Sequence, residues 1–247
     1  MNFLKWTLAV CASTLLYTSG QAQEKIEPTS PEPRKEEPKK ITARSRDLIM
    51  LQLHYDDWAQ KPDSINMKGL NRGFSAYIMM DFPFKKAAQF SFAGGIGIGT
   101  YNYYFSNQRL ILNEGNQTVI FRNLYEPEST NYKKIKFNTA YLEAPLELRF
   151  FGDPYNRNRG FKFALGMKVG YLLSVHTKER VIVGDVTLTQ KFGGLKVYNP
   201  TWTFSPTVRI GWGNFSVFGQ YSLSQQFTSG LGPEVYPFSI GLTISGL

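Results

Sequence analysis

The chain has 247 residues, a single cysteine, and 28 Lys and Arg against 19 Asp and Glu, for a net charge of +9. One cysteine excludes a disulfide framework and a cysteine-built metal centre, and no apolar run of about 18 residues follows the N-terminal one, which excludes a bundle of membrane-spanning helices. The basic residues are scattered among polar stretches and alternating positions rather than gathered into a stripe, so nucleic acid is not the expected partner; anionic lipid head groups are the better use of that charge.

Residues 1–22 read as a cleaved export signal. Lys5 supplies the positive end, Trp6 to Leu16 the apolar stretch, and Gly20-Gln21-Ala22 a small-residue cleavage site before Gln23. The apolar stretch falls short of the roughly 20 residues a helix needs to span a bilayer. Cys11 sits in the middle of this run behind Val10, not at its end behind a small residue, so it is not read as a lipid anchor. Residues 23–46 contain Pro28, Pro31, Pro33 and Pro38 among Glu and Lys and almost nothing apolar. Such a stretch cannot bury enough surface to offset its ordering entropy, and it is expected to be a disordered periplasmic tether.

From residue 47 to 247 the spacing predicts eight strands, since successive strand side chains point to opposite faces. Ile49, Leu51, Leu53 and Tyr55 alternate with Met50, Gln52, His54 and Asp56. Phe74, Ala76, Ile78, Met80 and Phe82 alternate with Ser75, Tyr77, Met79 and Asp81. Phe90, Phe92, Ile96 and Ile98 face away from Ser91, Ala93, Gly95, Gly97 and Gly99. Leu142, Leu146, Leu148 and Phe150 oppose Glu143, Glu147 and Arg149, and Phe161, Phe163, Leu165, Met167 and Val169 oppose Lys162, Ala164, Gly166 and Lys168. Phe204, Val208, Ile210 and Trp212 oppose Ser205, Thr207, Arg209 and Gly211; Phe215, Val217, Tyr221 and Leu223 oppose Ser216, Gln220 and Ser222. The final segment sets Tyr236, Phe238, Ile240, Leu242 and Ile244 against Ser239, Gly241, Thr243 and Ser245.

The connections alternate in length. Residues 57–72, 106–134, 177–200 and 227–235 read as long polar loops; 83–89, 151–160 and 213–214 are short, and Gly213-Asn214 suits a two-residue hairpin. Aromatic residues fall beside both sets. Phe82, Phe84, Phe150, Phe151, Phe161, Trp212 and Phe215 lie at the short turns; Tyr55, Trp58, Tyr101, Tyr103, Tyr104, Phe105, Trp202 and Tyr236 lie at the long loops. Two aromatic belts, short turns inside and long loops outside describe an outer-membrane barrel. The rival, a soluble barrel around a ligand, needs a polar outer face, and the second face here is mostly Gly, Ser and Ala with a few charges. The expected fold is therefore all-β: an eight-stranded antiparallel up-and-down transmembrane β-barrel.

Phe92-Ala-Gly-Gly-Ile-Gly-Ile-Gly99, Tyr141-Leu-Glu-Ala-Pro-Leu-Glu-Leu148 and Phe161-Lys-Phe-Ala-Leu-Gly-Met-Lys-Val-Gly170 carry a resemblance to the eight-stranded outer-membrane barrel proteins of Bacteroidota. That group is often labelled porin-like and includes the PorT barrel associated with type IX secretion. The resemblance spans about residues 47–247. It implies a barrel in the outer membrane, no shared catalytic residues, no cofactor, and an accessory role in secretion as one function open to the chain.

The polar inner face holds the candidate sites. Glu143, Glu147, Arg149, Lys162, Lys168 and Arg209 are expected to form an ion-pair network filling the lumen, because an eight-stranded barrel is just wide enough for its own side chains. Symmetric closure of the 151–160 turn sets Glu143 opposite Lys168 and Glu147 diagonal to Lys162. His54, Asp56 and Asp81 are further inner-face polar residues; His54 and Asp56 share a face but lack a third metal ligand, so no metal is expected. Ser174 and His176, with Glu179 near in sequence, form a candidate rim constellation for nucleophilic chemistry without a recognisable hydrolase motif. Asp63-Ser64-Ile65 has the form of a three-residue O-glycosylation site, placing Ser64 as its acceptor. The glycines at 94–99 lack the Lys-Ser/Thr and helix of a phosphate loop. The chain thus reads as a non-enzymatic outer-membrane scaffold whose long loops or tether bind lipid and another envelope or secretion component. A narrow pore and a rim enzyme are the alternatives.

Overall fold

The computed structural model describes residues 49–246 apart from 68, 85–88, 114, 116–117, 126–131, 154–159 and 184–185. The expected leader (1–22) and tether (23–46) lie outside the described residues. The strands are β1 (Ile49–Ala59), β2 (Arg72–Pro83), β3 (Phe90–Phe105), β4 (Gln108–Asn113), β5 (Thr118–Asn123), β6 (Tyr132–Phe151), β7 (Phe161–Val183), β8 (Val186–Phe192), β9 (Trp202–Trp212), β10 (Phe215–Tyr221) and β11 (Tyr236–Ser245), with a 3-10 turn at Leu195–Tyr198.

Eight of these close into an antiparallel barrel in the order β1-β2-β3-β6-β7-β9-β10-β11. The ring shuts where β11 returns to β1, with Met50 opposite Ser245 and Ala59 opposite Tyr236. No edge is left in the ring, so its backbone groups are paired within the wall, which is what a hydrocarbon surrounding demands. β9 and β10 join through Gly213-Asn214, where Gly213 has φ 61°, a value that costs glycine little.

Side-chain direction settles which solvent surrounds the wall. Ile78 and Met80 are 62% and 61% exposed, while Met79 between them is fully buried inside the barrel. Leu53, Leu165 and Leu242 likewise face outward on their own strands. A soluble barrel would place these residues within; here the oil is on the outside. Along β7 the outward apolar run extends from Phe161 to Leu173. Twelve steps at about 3.3 Å each, tilted by about 40°, rise roughly 30 Å, about the depth of a membrane's hydrocarbon core.

The wall continues past that band. β3, β6 and β7 have 16, 20 and 23 residues, against the 9–11 or so that span a bilayer. The expected long loops therefore need correction. Residues 106–134 contain the β4–β5 hairpin and the outer end of β6, and residues 177–200 contain the outer end of β7, β8 and the 3-10 turn. These stretches look like loops in sequence because their outward positions are polar (Lys134, Lys178, Arg180), as are Lys136, Asn138 and His176 next to them. Above the membrane an outward side chain meets water, and the inward ones (Ile135, Phe137, Val175) become the apolar set.

The outer aromatic belt also needs correction. Trp58, Tyr101, Tyr103 and Phe105 are buried inside the barrel, whereas Tyr55 and Trp202 face outward and Tyr104 and Tyr236 are half-buried. Phe151, assigned to the inner belt, also points inward. Strand ends alone did not separate the two faces. On β7 the phase changes at a bulge: Ala140 pairs Ser174 but Tyr141 pairs Leu172, leaving Leu173 as an extra residue. Leu172 is fully buried and Leu173 faces lipid.

Candidate functional site

The lumen has three levels. Nearest the short turns, Glu147 Oε2 accepts from Arg149 Nε at 2.7 Å and from Arg209 Nη2 at 2.6 Å. Arg149 Nη1 lies 3.8 Å from Asp81 Oδ1, which also accepts from Ser91 Oγ at 2.6 Å. Lys162 is buried at this level, its ammonium 5.7 Å from the centre of the Phe151 ring.

At the middle level Glu143 is held on both oxygens. Tyr101 donates to Oε1 at 2.6 Å, Tyr77 donates to Oε2, and Lys168 Nζ lies 3.4 Å from Oε2. Lys168 also donates to Gln220 Oε1 at 2.7 Å. Gln220 Nε2 donates to Tyr101 Oη and to Ser239 Oγ, each at 3.2 Å, and Ser239 donates to Asp56 Oδ1 at 2.6 Å. Asp56 in turn sits 2.6 Å from His54 Nδ1, and His54 Nε2 lies 3.2 Å from Ser75 Oγ. One hydrogen-bonded chain thus crosses the barrel from Ser75 to Glu143.

The strand register corrects the predicted pairing. Glu143 is opposite Gly170, Pro145 is opposite Lys168 and Glu147 is opposite Gly166. The wall is offset by two residues from symmetric closure of the turn. Glu143 and Lys168 still meet, as diagonal neighbours. Glu147 takes Arg149 from its own strand and Arg209 from β9 in place of the expected Lys162 diagonal. Every carboxylate at these two levels lies among cations: Asp56, Asp81, Glu143 and Glu147 stand against Arg149, Lys162, Lys168 and Arg209. Among the described residues of these two levels, four acids thus stand against four bases.

The third level seals the outer mouth. Trp58 packs on Tyr103 at 4.8 Å and on Phe227 at 5.8 Å between ring centres; Phe121 lies 5.1 Å from Phe105 and 6.3 Å from Phe227. Phe121 comes from the β4–β5 hairpin and Phe227 from the segment between β10 and β11. Val119 N–H donates to Leu231 C=O at 2.7 Å, tying that hairpin to the segment, and Thr228 N–H donates to Tyr198 C=O at 2.9 Å. Below this plug, a void of about 30 Å³ beside Tyr101, Glu143 and Gln220 has room for about two waters.

Ser75, His54 and Asp56 form the serine–imidazole–carboxylate sequence of a nucleophilic triad. Ser75 and Asp56 have no exposed surface and His54 is buried, and Ser75 is a mid-strand residue paired on both sides in the wall. A substrate carbonyl has no approach to its hydroxyl, so the arrangement binds the lumen together. The rim constellation does not assemble either. Ser174 and His176 point outward, but Glu179 points inward, where it binds Arg109 at 3.0 Å. His176 and Glu179 are an odd number of positions apart on β7, beyond the bulge at Leu173, so alternation alone puts them on opposite sides of the wall.

Ser64 is exposed at the outer end, although Ile65 beside it is buried in the plug cluster. Among the described residues no group of three His, Cys, Asp or Glu could hold a metal ion. Sequence reasoning missed Tyr77, Tyr101 and Ser239 as partners of the acids. The inward phase of Tyr77 and Ser239 was legible while Tyr101 was assigned to the outer belt, and which carboxylate each would meet depends on register. It missed Phe121 and Phe227 as plug residues because both come from stretches read as loops.

A family model described as an outer membrane protein beta-barrel domain matches residues 49–236. No curated protein and no solved structure matches the chain.

Proposed function

Since this chain belongs to the outer membrane protein beta-barrel domain family and so resides in the outer membrane, we propose that it is a non-enzymatic scaffold whose outer end engages another component of the envelope. The observation that carries this reading is the contrast between its two parts. The lumen is filled by paired acids and bases and plugged by Trp58, Phe121 and Phe227, whereas the outer end is elaborated. Among the described residues β8 pairs with β7 alone, and all seven of its residues are exposed, Val186, Leu188 and Phe192 among them. A strand with one free edge and two bare faces is a template for an added strand from a partner.

The resemblance to the Bacteroidota barrels, PorT among them, makes a secretion apparatus the first place to seek that partner. Residues 23–46 offer a second, periplasmic attachment once the leader 1–22 is removed, and Ser64 is exposed as the acceptor of an O-linked glycan would have to be. A photo-crosslinker at Leu188 tests the scaffold reading. A discrete protein adduct in intact cells, lost when Val186 and Phe192 are replaced by Asp with the crosslinker kept at Leu188, is the expected result; adducts with lipid alone would overturn it.

The void beside Glu143 favours a second reading, a narrow path for ions or small solutes through the polar levels. Planar-bilayer recording separates the two: the scaffold shows no large steady conductance, and unitary steps in the intact protein would favour the pore.

A further inference from the structure

Above the lipid-facing band, three adjacent strands present like charges in direct register. Lys136 on β6 stands opposite Lys178 on β7, and Lys178 stands opposite Lys191 on β8. One rung further out, Lys134 stands opposite Arg180. Directly opposed residues have Cβ atoms about 5 Å apart, and like charges placed so destabilise a sheet. All five face outward, and among the described residues no acid shares their face of these strands; Glu179 lies on the other face, buried. Burial, then Lys178 and Lys134, loosens the proton on Lys136, and burial, then Lys191, Lys136 and Lys178, lowers the affinity of His176 for its own. These cations repel one another, and among the described residues no acid on their face offsets it.

Their height identifies what can. Lys134 Nζ rests 4.6 Å from the centre of the Tyr104 ring, and Lys136 Nζ donates to Asn102 Oδ1 at 2.7 Å. Lys196 Nζ lies 5.8 Å from the centre of the Tyr171 ring, which packs on Trp202. Tyr171 and Trp202 stand where the apolar band ends, as aromatic residues do at a membrane interface. The Lys134 and Lys136 ammonium groups thus reach down toward the head-group layer, as long basic side chains do at an interface.

The geometry points to a binding site on the outer wall for the phosphorylated head group of an outer-leaflet lipid, held by Lys136, Lys178 and Lys191 with Lys134 and Arg180 above. This deepens the outer-membrane placement proposed above and rests on it. Phosphate oxygens between the rows would turn mutual repulsion into charge-assisted hydrogen bonds.

The test compares the intact protein with the triple variant Lys136→Gln, Lys178→Gln, Lys191→Gln, purified in zwitterionic detergent. Native mass spectrometry reads retention of phosphorylated lipid A, of its dephosphorylated form, and of inorganic phosphate. The expected result is retention of phosphorylated lipid A at least tenfold above the other two, falling at least tenfold in the variant. In zwitterionic detergent without lipid A, the variant should unfold at the same or a higher temperature, because repulsion has been removed. Equal lipid retention in both proteins would overturn the site, and inorganic phosphate bound as tightly as lipid A would reassign it to a free anion. A variant less stable in plain detergent would mean the lysines serve the fold. If the triple variant does not fold, Lys191→Gln alone, on the fully exposed β8, must lower lipid A retention by a measurable fraction. Heat-dependent gel mobility of the intact protein reports the membrane barrel separately, so failure of the lipid site and failure of the placement give different results.

Discussion

The carboxylate of Glu143 lies over Gly99, so close that a β-carbon built on Gly99 would meet Oε2 at 2.6 Å. A flexible side chain could swing aside, but this one is held by Tyr77, Tyr101 and Lys168. Gly99→Ala should therefore cost about 1–3 kcal/mol, the usual range for overpacking a filled interior. The measurement is the temperature at which the unheated gel band converts to the unfolded mobility. An unchanged temperature would mean that the Glu143 cluster adjusts freely.

Among the described residues Glu147 is the anion that Arg149 and Arg209 share. Glu147→Ala leaves two guanidinium groups in the lumen without it, and removal of one partner from a buried ion group costs about 3–5 kcal/mol. Glu147→Gln keeps the shape and a hydrogen-bond acceptor, so it should fall between the alanine variant and the native protein. Urea unfolding in detergent micelles checks the order, and equal midpoints for all three proteins would contradict it.

Phe227 joins the segment before β11 to the plug. Its replacement by alanine should cost about 3–5 kcal/mol, as for other large-to-small changes in a packed core. With Trp58→Ala added, the seal opens. Planar bilayers should then show conductance steps absent from the native protein; a silent double variant would place the barrier at the charged levels instead.

His176, beyond the apolar band, binds its proton less tightly than an ordinary imidazole. Between its lowered folded pKa and the ordinary unfolded one near 6.5, the unfolded chain holds more protons, so stability rises with pH across that window and is lost as pH falls through it. Imidazole NMR shifts should titrate below the ordinary midpoint. Replacing Lys191 with Gln should move that midpoint up; a midpoint that ignores Lys191 would contradict the electrostatic part of the cause.

The barrel and its outward oil were legible because period-two alternation needs no knowledge of partners: Ile78, Met79 and Met80 declare their faces locally. The inward acids were legible for the same reason. Their pairing was not, since a two-residue offset between β6 and β7 exchanges Lys168 for Gly170 opposite Glu143, and turn length does not set that offset when the turn is long. Ser174, His176 and Glu179 are near in sequence but do not assemble, because an odd spacing separates His176 from Glu179; the extra residue Leu173 decides only that the first two turn outward and the third inward. Lys134 and Lys178 look like loop residues because the rule of apolar outside, polar inside holds only where lipid surrounds the wall.

On β3 and β6 the exchange of polarity happens without a break in the strand. Below it, Ile98 and Leu142 face out and Gly99 and Glu143 face in; above it, Asn102 and Lys136 face out and Tyr103 and Phe137 face in. The same strands thus form an inverted barrel in oil and an ordinary one in water. The level of exchange works as a waterline. Sinking the protein by one residue pair would push Lys136 and Asn138 toward hydrocarbon, and raising it would lift Leu142 and Leu146 into water. Its depth in the bilayer is therefore set by sequence, and a bilayer of different thickness must bend to meet the wall.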